Sequence, residues 1–153
     1  MSPNPTERAP KDRPDVKVFT EIGIIDQLVT NRLERLLPPG MSQAQFGILV
    51  HFARRGGQES PAQLAKAFQV TKGAMTNTLQ KLSAQGLVRI DADAEDGRKK
   101  WISITPAGLA AHDAGLMATR PMMEAMRSAF TEAEFRTALP FLTALRIWLD
   151  ENR

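Results

Sequence analysis

At 153 residues the chain can build one sizeable core but not two comfortable domains, and its 42% hydrophobic and 24% charged residues are those of an ordinary globular protein. No apolar run is long enough to cross a bilayer, the N-terminus lacks the apolar core of a secretory signal, and the absence of cysteine excludes a disulfide framework, a thiolate metal site and a thiol redox sensor, which together point to the cytoplasm. The net charge of +3 permits a nucleic-acid partner without demanding one, so the placement of the charges matters more than their sum.

Residues 1–15 hold four of the ten prolines and almost nothing apolar, so they read as a disordered tail ahead of a single domain over 16–153. Val18, Ile22, Ile25, Val29, Leu33 and Leu36 recur at spacings of three and four, which predicts a long amphipathic helix ended by Pro38-Pro39-Gly40. Ser42-Gln-Ala-Gln45 is a capping-box pattern opening a second helix, with Phe46, Leu49, Val50 and Ala53 inward and Gly56-Gly57 at its end. Ser60-Pro-Ala-Gln63 is another, with Pro61 at the first helical position. That helix is short, because Val70-Thr71-Lys72-Gly73 reads as a turn and a new start with Thr71 as N-cap. The helix it opens turns Met75, Leu79 and Leu82 inward and stops at Gly86.

The period then changes to two. Leu87–Ile90 and Trp101–Thr105 are candidate strands around a charged loop, 91–100, with an Asp96-Gly97 turn signal, hence one β-hairpin. Thr105-Pro106 opens a long helix through Leu109, Leu116, Met123 and Met126, which Pro121 is expected to kink. Thr131-Glu-Ala-Glu134 is a third capping box; it opens a last helix carrying Phe135, Leu139, Leu142, Leu145 and Leu149, interrupted at Pro140.

The two central helices have the spacing of a helix-turn-helix. Opposite the buried side of the second lie Gly73, Thr76, Asn77, Gln80, Lys81 and Ala84, a face without a single acid. Asn and Gln can pair bidentately with adenine, while Lys72 and Lys81 suit phosphate oxygens and the free amides behind Thr71 suit one more. A helix pair alone is a weak signal. A hairpin following at once, with Arg98-Lys99-Lys100 in its charged tip, makes a more specific composite: a winged helix-turn-helix. The expected class is therefore mainly α with a small β-hairpin wing, and the DNA-binding set is Thr71, Lys72, Thr76, Asn77, Gln80, Lys81, Arg98, Lys99 and Lys100.

Several strings resemble the MarR (multiple antibiotic resistance) regulators. They are Gln63-Leu64-Ala65, Val70-Thr71, Met75-Thr76-Asn77-Thr78-Leu79, Leu82, Gly86-Leu87-Val88 and the wing Asp96-Gly-Arg98-Lys-Lys-Trp-Ile-Ser-Ile-Thr105-Pro-Ala-Gly108. The resemblance implies a homodimer joined through helices at about 16–38 and 106–152, around a DNA-binding lobe at about 42–105. It further implies Arg98 in a minor groove with Asp96 orienting it, a double-stranded DNA partner, and repression relieved by a small-molecule effector whose site is unknown. At Asn77 the chain departs from the family, where many members carry arginine, so base preference there does not carry over. The alternative is a winged-helix protein-interaction module without DNA-binding activity, against which the basic face and wing argue.

Other signals are weaker. Asp91-x-Asp93-x-Glu95 resembles a calcium loop, but its glycine comes one position late and Ile102 stands where a bidentate Glu belongs. His51 and His112 lack an evident carboxylate or thiol partner and read as ordinary helix residues, so no metal is expected. Met117, Met122, Met123 and Met126 read as core or dimer packing sooner than as a pocket. Trp101 is expected to pack the wing onto the body and Trp148 to join the dimer. No phosphate loop, nucleophile elbow or zinc-protease motif occurs, so neither catalysis nor a cofactor is expected.

Overall fold

The computed structural model describes residues 12–152. Six helices and one hairpin follow in the order α1 (Pro14–Leu36), α2 (Gln43–Arg55), α3 (Pro61–Phe68), α4 (Lys72–Ala84), β1 (Val88–Ala92), β2 (Lys100–Ile104), α5 (Pro106–Ala129) and α6 (Glu132–Glu151). The helix starts are written locally. Ser42, Ser60 and Thr131 each accept from the backbone amide three residues on, and Gln45, Gln63 and Glu134 return the bond, so all three capping boxes close. Thr71 and Thr105 cap α4 and α5 through the amides of Ala74 and Gly108.

The core lies in the central lobe. Ile48, Leu49 and Phe52 of α2 meet Leu64 and Ala65 of α3, Met75, Leu79 and Leu82 of α4, Val88 of β1 and Ile102 of β2. Each fully buried aliphatic or aromatic side chain is worth about 1.5–3 kcal/mol, and this cluster is what fixes α4 against the lobe. The hairpin is antiparallel, with Val88 opposite Ile104 and Ala92 opposite Lys100. A single residue ahead of α3 adds to its edge: Glu59 donates to the Ile102 carbonyl at 3.1 Å and accepts from the Ile102 amide at 2.8 Å.

The two ends of the chain are different. Neither α1 nor α6 contains a buried residue, although Phe19, Ile24, Ile25 and Leu28 on α1 and Phe135, Leu139, Phe141 and Trp148 on α6 are large and apolar. Among the described residues no helix is long and apolar enough to cross a membrane.

Four details depart from the sequence reading. α1 begins at Pro14, inside the segment assigned to the tail, because proline suits the first helical turn and Asp15 complements the helix N-terminus there; residues 1–11 lie outside the described part. Val50 points outward at 36% exposure while Ile48, His51 and Phe52 turn in, since α2 packs against both α5 and the rest of the lobe. Helix α6 runs through Pro140 without interruption, as α5 does through Pro121: each proline removes one backbone donor, which a long helix absorbs. The strands extend inward to Ala92 and Lys100, shortening the loop to residues 93–99.

Candidate nucleic-acid interface

The interface is built on α4. Burying Met75, Leu79 and Leu82 leaves Thr71, Lys72, Thr76, Asn77, Gln80 and Lys81 exposed, together with Gly73 and Ala84. Thr71 caps the helix, its hydroxyl oxygen accepting from the Ala74 amide at 3.1 Å. Thr78 is turned away and donates to the Ala74 carbonyl at 3.1 Å. The acid-free character extends well beyond this face. From Ser60 to Ile90 there is no Asp or Glu, against four cations, Lys66, Lys72, Lys81 and Arg89. The turn between α3 and α4 depends on Gln69, held at φ 56° and ψ 41° in the left-handed region, with the Val70 amide bonded back to Ala65 at 3.1 Å.

The wing is anchored at its base. Thr105 donates through its hydroxyl to the Gly86 carbonyl at 2.6 Å and accepts from the Gly108 amide at 3.0 Å, joining the turn after α4 to the start of α5. Gly108 is there because a Cβ would stand 2.0 Å from the Leu87 carbonyl oxygen. A second link runs through α2. His51, 8% exposed, holds Glu59 through Nε2–Oε1 at 2.8 Å, and the backbone of Glu59 pairs with β2. His51 thus has the carboxylate partner that the sequence left unseen, and His112 meets Asp113 at 3.0 Å. Among the described residues no group of histidines and acids could hold a metal ion.

Arg98 and Lys99 are exposed in the tip loop, and Lys100 is exposed at the start of β2. Among the described residues the Arg98 guanidinium makes no hydrogen bond or ion pair, whereas Lys100 folds its ammonium onto the Gly97 carbonyl at 3.3 Å. Asp96 bonds the Arg98 backbone amide at 3.0 Å, not the guanidinium. The tip is closed by Lys99 donating to the Asp96 carbonyl at 2.9 Å, and neither Gly97 nor Arg98 has positive φ, so the Asp-Gly pair does not form a primed hairpin turn.

Asp93 is the residue that sequence reasoning passed over. Its Oδ1 accepts from the amides of Glu95 at 2.9 Å and Asp96 at 3.0 Å, and its Oδ2 accepts from the Trp101 indole at 2.7 Å. The indole bond, then the two amides, hold its carboxyl well below the usual range, at about 2. Trp101 therefore braces the wing internally. The only signal in the sequence was an Asp eight residues before a Trp across a hairpin, which no local pattern distinguishes.

The sequence model of the MarR family matches residues 40–99, from the end of the α1–α2 connection to the wing tip. The transcriptional regulator HosA of Escherichia coli is 29% identical over 92 residues, covering 60% of this chain and 67% of HosA. The structure of the transcriptional regulator BldR from Sulfolobus solfataricus superposes with a TM-score of 0.75 at 25% identity, covering 94% of this chain and 99% of BldR. A mutant MarR from E. coli, solved in complex with operator DNA, shares the fold at a TM-score of 0.66 and 24% identity over 82% of this chain and 93% of its own. Helix-turn-helix, wing and flanking helices thus agree with those of winged helix-turn-helix transcriptional regulators, and the chain is similar in sequence and in fold to the MarR family.

Proposed function

We propose that the protein binds specific DNA sequences as a homodimer, represses the genes beside them, and is released by a small-molecule effector. The observation that carries the DNA reading is the exposed, acid-free face of α4 in the same lobe as the basic end of the wing loop, Arg98 to Lys100. Thr76, Asn77 and Gln80 supply donors and acceptors for base edges, Lys72 and Lys81 flank them for phosphates, and Arg98 is free to reach a minor groove. Cytoplasmic residence follows from that role.

Surface area supports the dimer. The chain exposes 11595 Å² where a compact monomer of its mass exposes about 7,700 Å². Residues 1–11, even counted as fully unfolded chain, contribute only about 1,800 Å². An excess of about 2,000 Å² remains, on the scale of one partner's share of an obligate interface. The exposed apolar side chains of α1 and α6 are the surface that such an interface would bury.

The effector reading is supported by an open cleft of about 1220 Å³ between α1, α6 and α3, with Arg55, Lys66 and Arg146 on its polar side; its apolar walls include Phe19 and Ile25 of the proposed dimer face, so the effector would sit at the edge of the subunit interface. None of the four α5 methionines Met117, Met122, Met123 and Met126 lines it. Selecting genomic fragments with the purified protein tests the DNA reading. Enrichment of a pseudo-palindrome with half-sites about 10 base pairs apart is expected. No enrichment even at low salt would refute it in favour of a protein-interaction module.

A further inference from the structure

We infer that Asp93 is the positioning residue of the wing: clamped between two backbone amides and the Trp101 indole, it sets the direction in which Arg98 leaves the hairpin. The inference rests on reading the wing as a DNA contact and adds a residue that touches no DNA.

A seven-residue loop bearing Asp93, Glu95, Asp96, Arg98 and Lys99 has little apolar surface to order it. Order comes instead from a chain of hydrogen bonds that starts at one side chain. Asp93 gathers the amides of Glu95 and Asp96, which turns the chain. Asp96, so placed, accepts from the Arg98 amide with its carboxylate and from the Lys99 amide with its carbonyl. The Asp93 amide closes the loop onto the Lys99 carbonyl at 3.0 Å. Trp101, half-buried on β2, holds the other carboxylate oxygen and so ties the tip to the strand that carries Ile102 into the core. Both oxygens of Asp93 are occupied by N–H donors. Among the described residues the Arg98 side chain has no partner, so its aim is set through this backbone.

Charge alone predicts the opposite effect on DNA. Removing a carboxylate from a DNA-facing loop lowers repulsion and strengthens binding. If Asp93 acts by aiming Arg98, its removal weakens binding and reproduces the loss of the arginine. The experiment is a set of anisotropy titrations, at several salt concentrations, of the full-length protein on a genomic fragment that the wild type selects. The variants are D93A, D93N, W101F, R98A and the D93A/R98A pair.

D93A is expected to weaken binding as much as R98A does and to adopt its shallower salt slope, while combining the two adds less than about twofold. D93N keeps an oxygen for the amides and loses an acceptor for the indole, so D93N and W101F are expected to share one smaller loss. In proton–nitrogen spectra of the free protein, the indole resonance that W101F deletes is expected to shift in both Asp93 variants. That readout, with the W101F titration, keeps the test valid if D93A melts early. Wild-type binding by D93A, or losses that multiply in the double variant, overturns the inference and leaves the wing reading standing. An R98A protein that binds like wild type overturns both.

Discussion

Replacing Arg98 with alanine separates a DNA-contacting wing from a merely soluble one. The side chain is exposed and unpartnered among the described residues, so its removal is expected to change folding stability by no more than about 0.5 kcal/mol. The binding effect is electrostatic and calculable. Each phosphate neutralised contributes about 0.9 to the slope of log K against log salt, and a dimer carries two wings, so the slope should become shallower by about 1.8. Between 50 and 150 mM salt, the affinity ratio of wild type to variant should therefore fall by about sevenfold. Anisotropy titrations at four or five salt concentrations, with urea unfolding as the stability control, measure both quantities. Superimposed titrations would remove the wing from the interface. Parallel salt lines with a constant loss would mean that Arg98 contacts a base edge or the partner subunit without neutralising phosphate.

Four further outcomes are expected. Asn77→Ala should relax preference at one base pair of each half-site by about 1–3 kcal/mol and leave the fold intact; equal weakening on every sequence would make it a phosphate contact. Gly108→Ala should destabilise the lobe by about 1–3 kcal/mol or more in urea unfolding, because the new methyl meets the Leu87 carbonyl; an unchanged midpoint would contradict that packing. Light scattering at micromolar concentration should give twice the chain mass, and L142E/L149E should lower it or abolish folding; a monomeric wild type refutes the dimer. Because the Asp93 carboxyl titrates at about 2 in the fold against about 4 in unfolded chain, its contribution is complete above the higher value and lost as pH falls through the lower. The Trp101 indole resonance should accordingly hold its position down to about pH 3, and a midpoint near 4 would show the carboxylate to be unclamped.

The sequence revealed most where the determinants are neighbours in the chain. Ser42 with Gln45, Ser60 with Gln63 and Thr131 with Glu134 mark helix starts three residues apart, and all three form as read. The hairpin showed itself by period, and α4 by the spacing of Met75, Leu79 and Leu82. What stayed hidden spans longer separations. Glu59 pairs with Ile102 across forty-odd residues through backbone atoms alone, which leave no trace in side-chain identity. His51 and Glu59 meet because α2 ends and the chain turns back at Gly56-Gly57, and only that reversal puts them on one side. Val50 was misplaced because a wheel drawn for one buried face fails on a helix packed from two sides. The surroundings of Asp93 were legible as acids in a loop, but its bond to Trp101 depends on the register that pairs Asp91 with Trp101.

One helix connects the parts of this molecule that would have to act together. α5 begins at the wing's base and continues for 24 residues, a shaft about 36 Å long. A tilt of about 5° at its far end would carry the wing roughly 3 Å sideways, more than a side chain aimed into a groove tolerates. A shaft of this kind also fixes phase. One residue inserted between Thr105 and Phe130 would turn everything beyond it by about 100°, leaving α6 facing the wrong side of the lobe. α5 can thus vary in composition far more freely than in residue count.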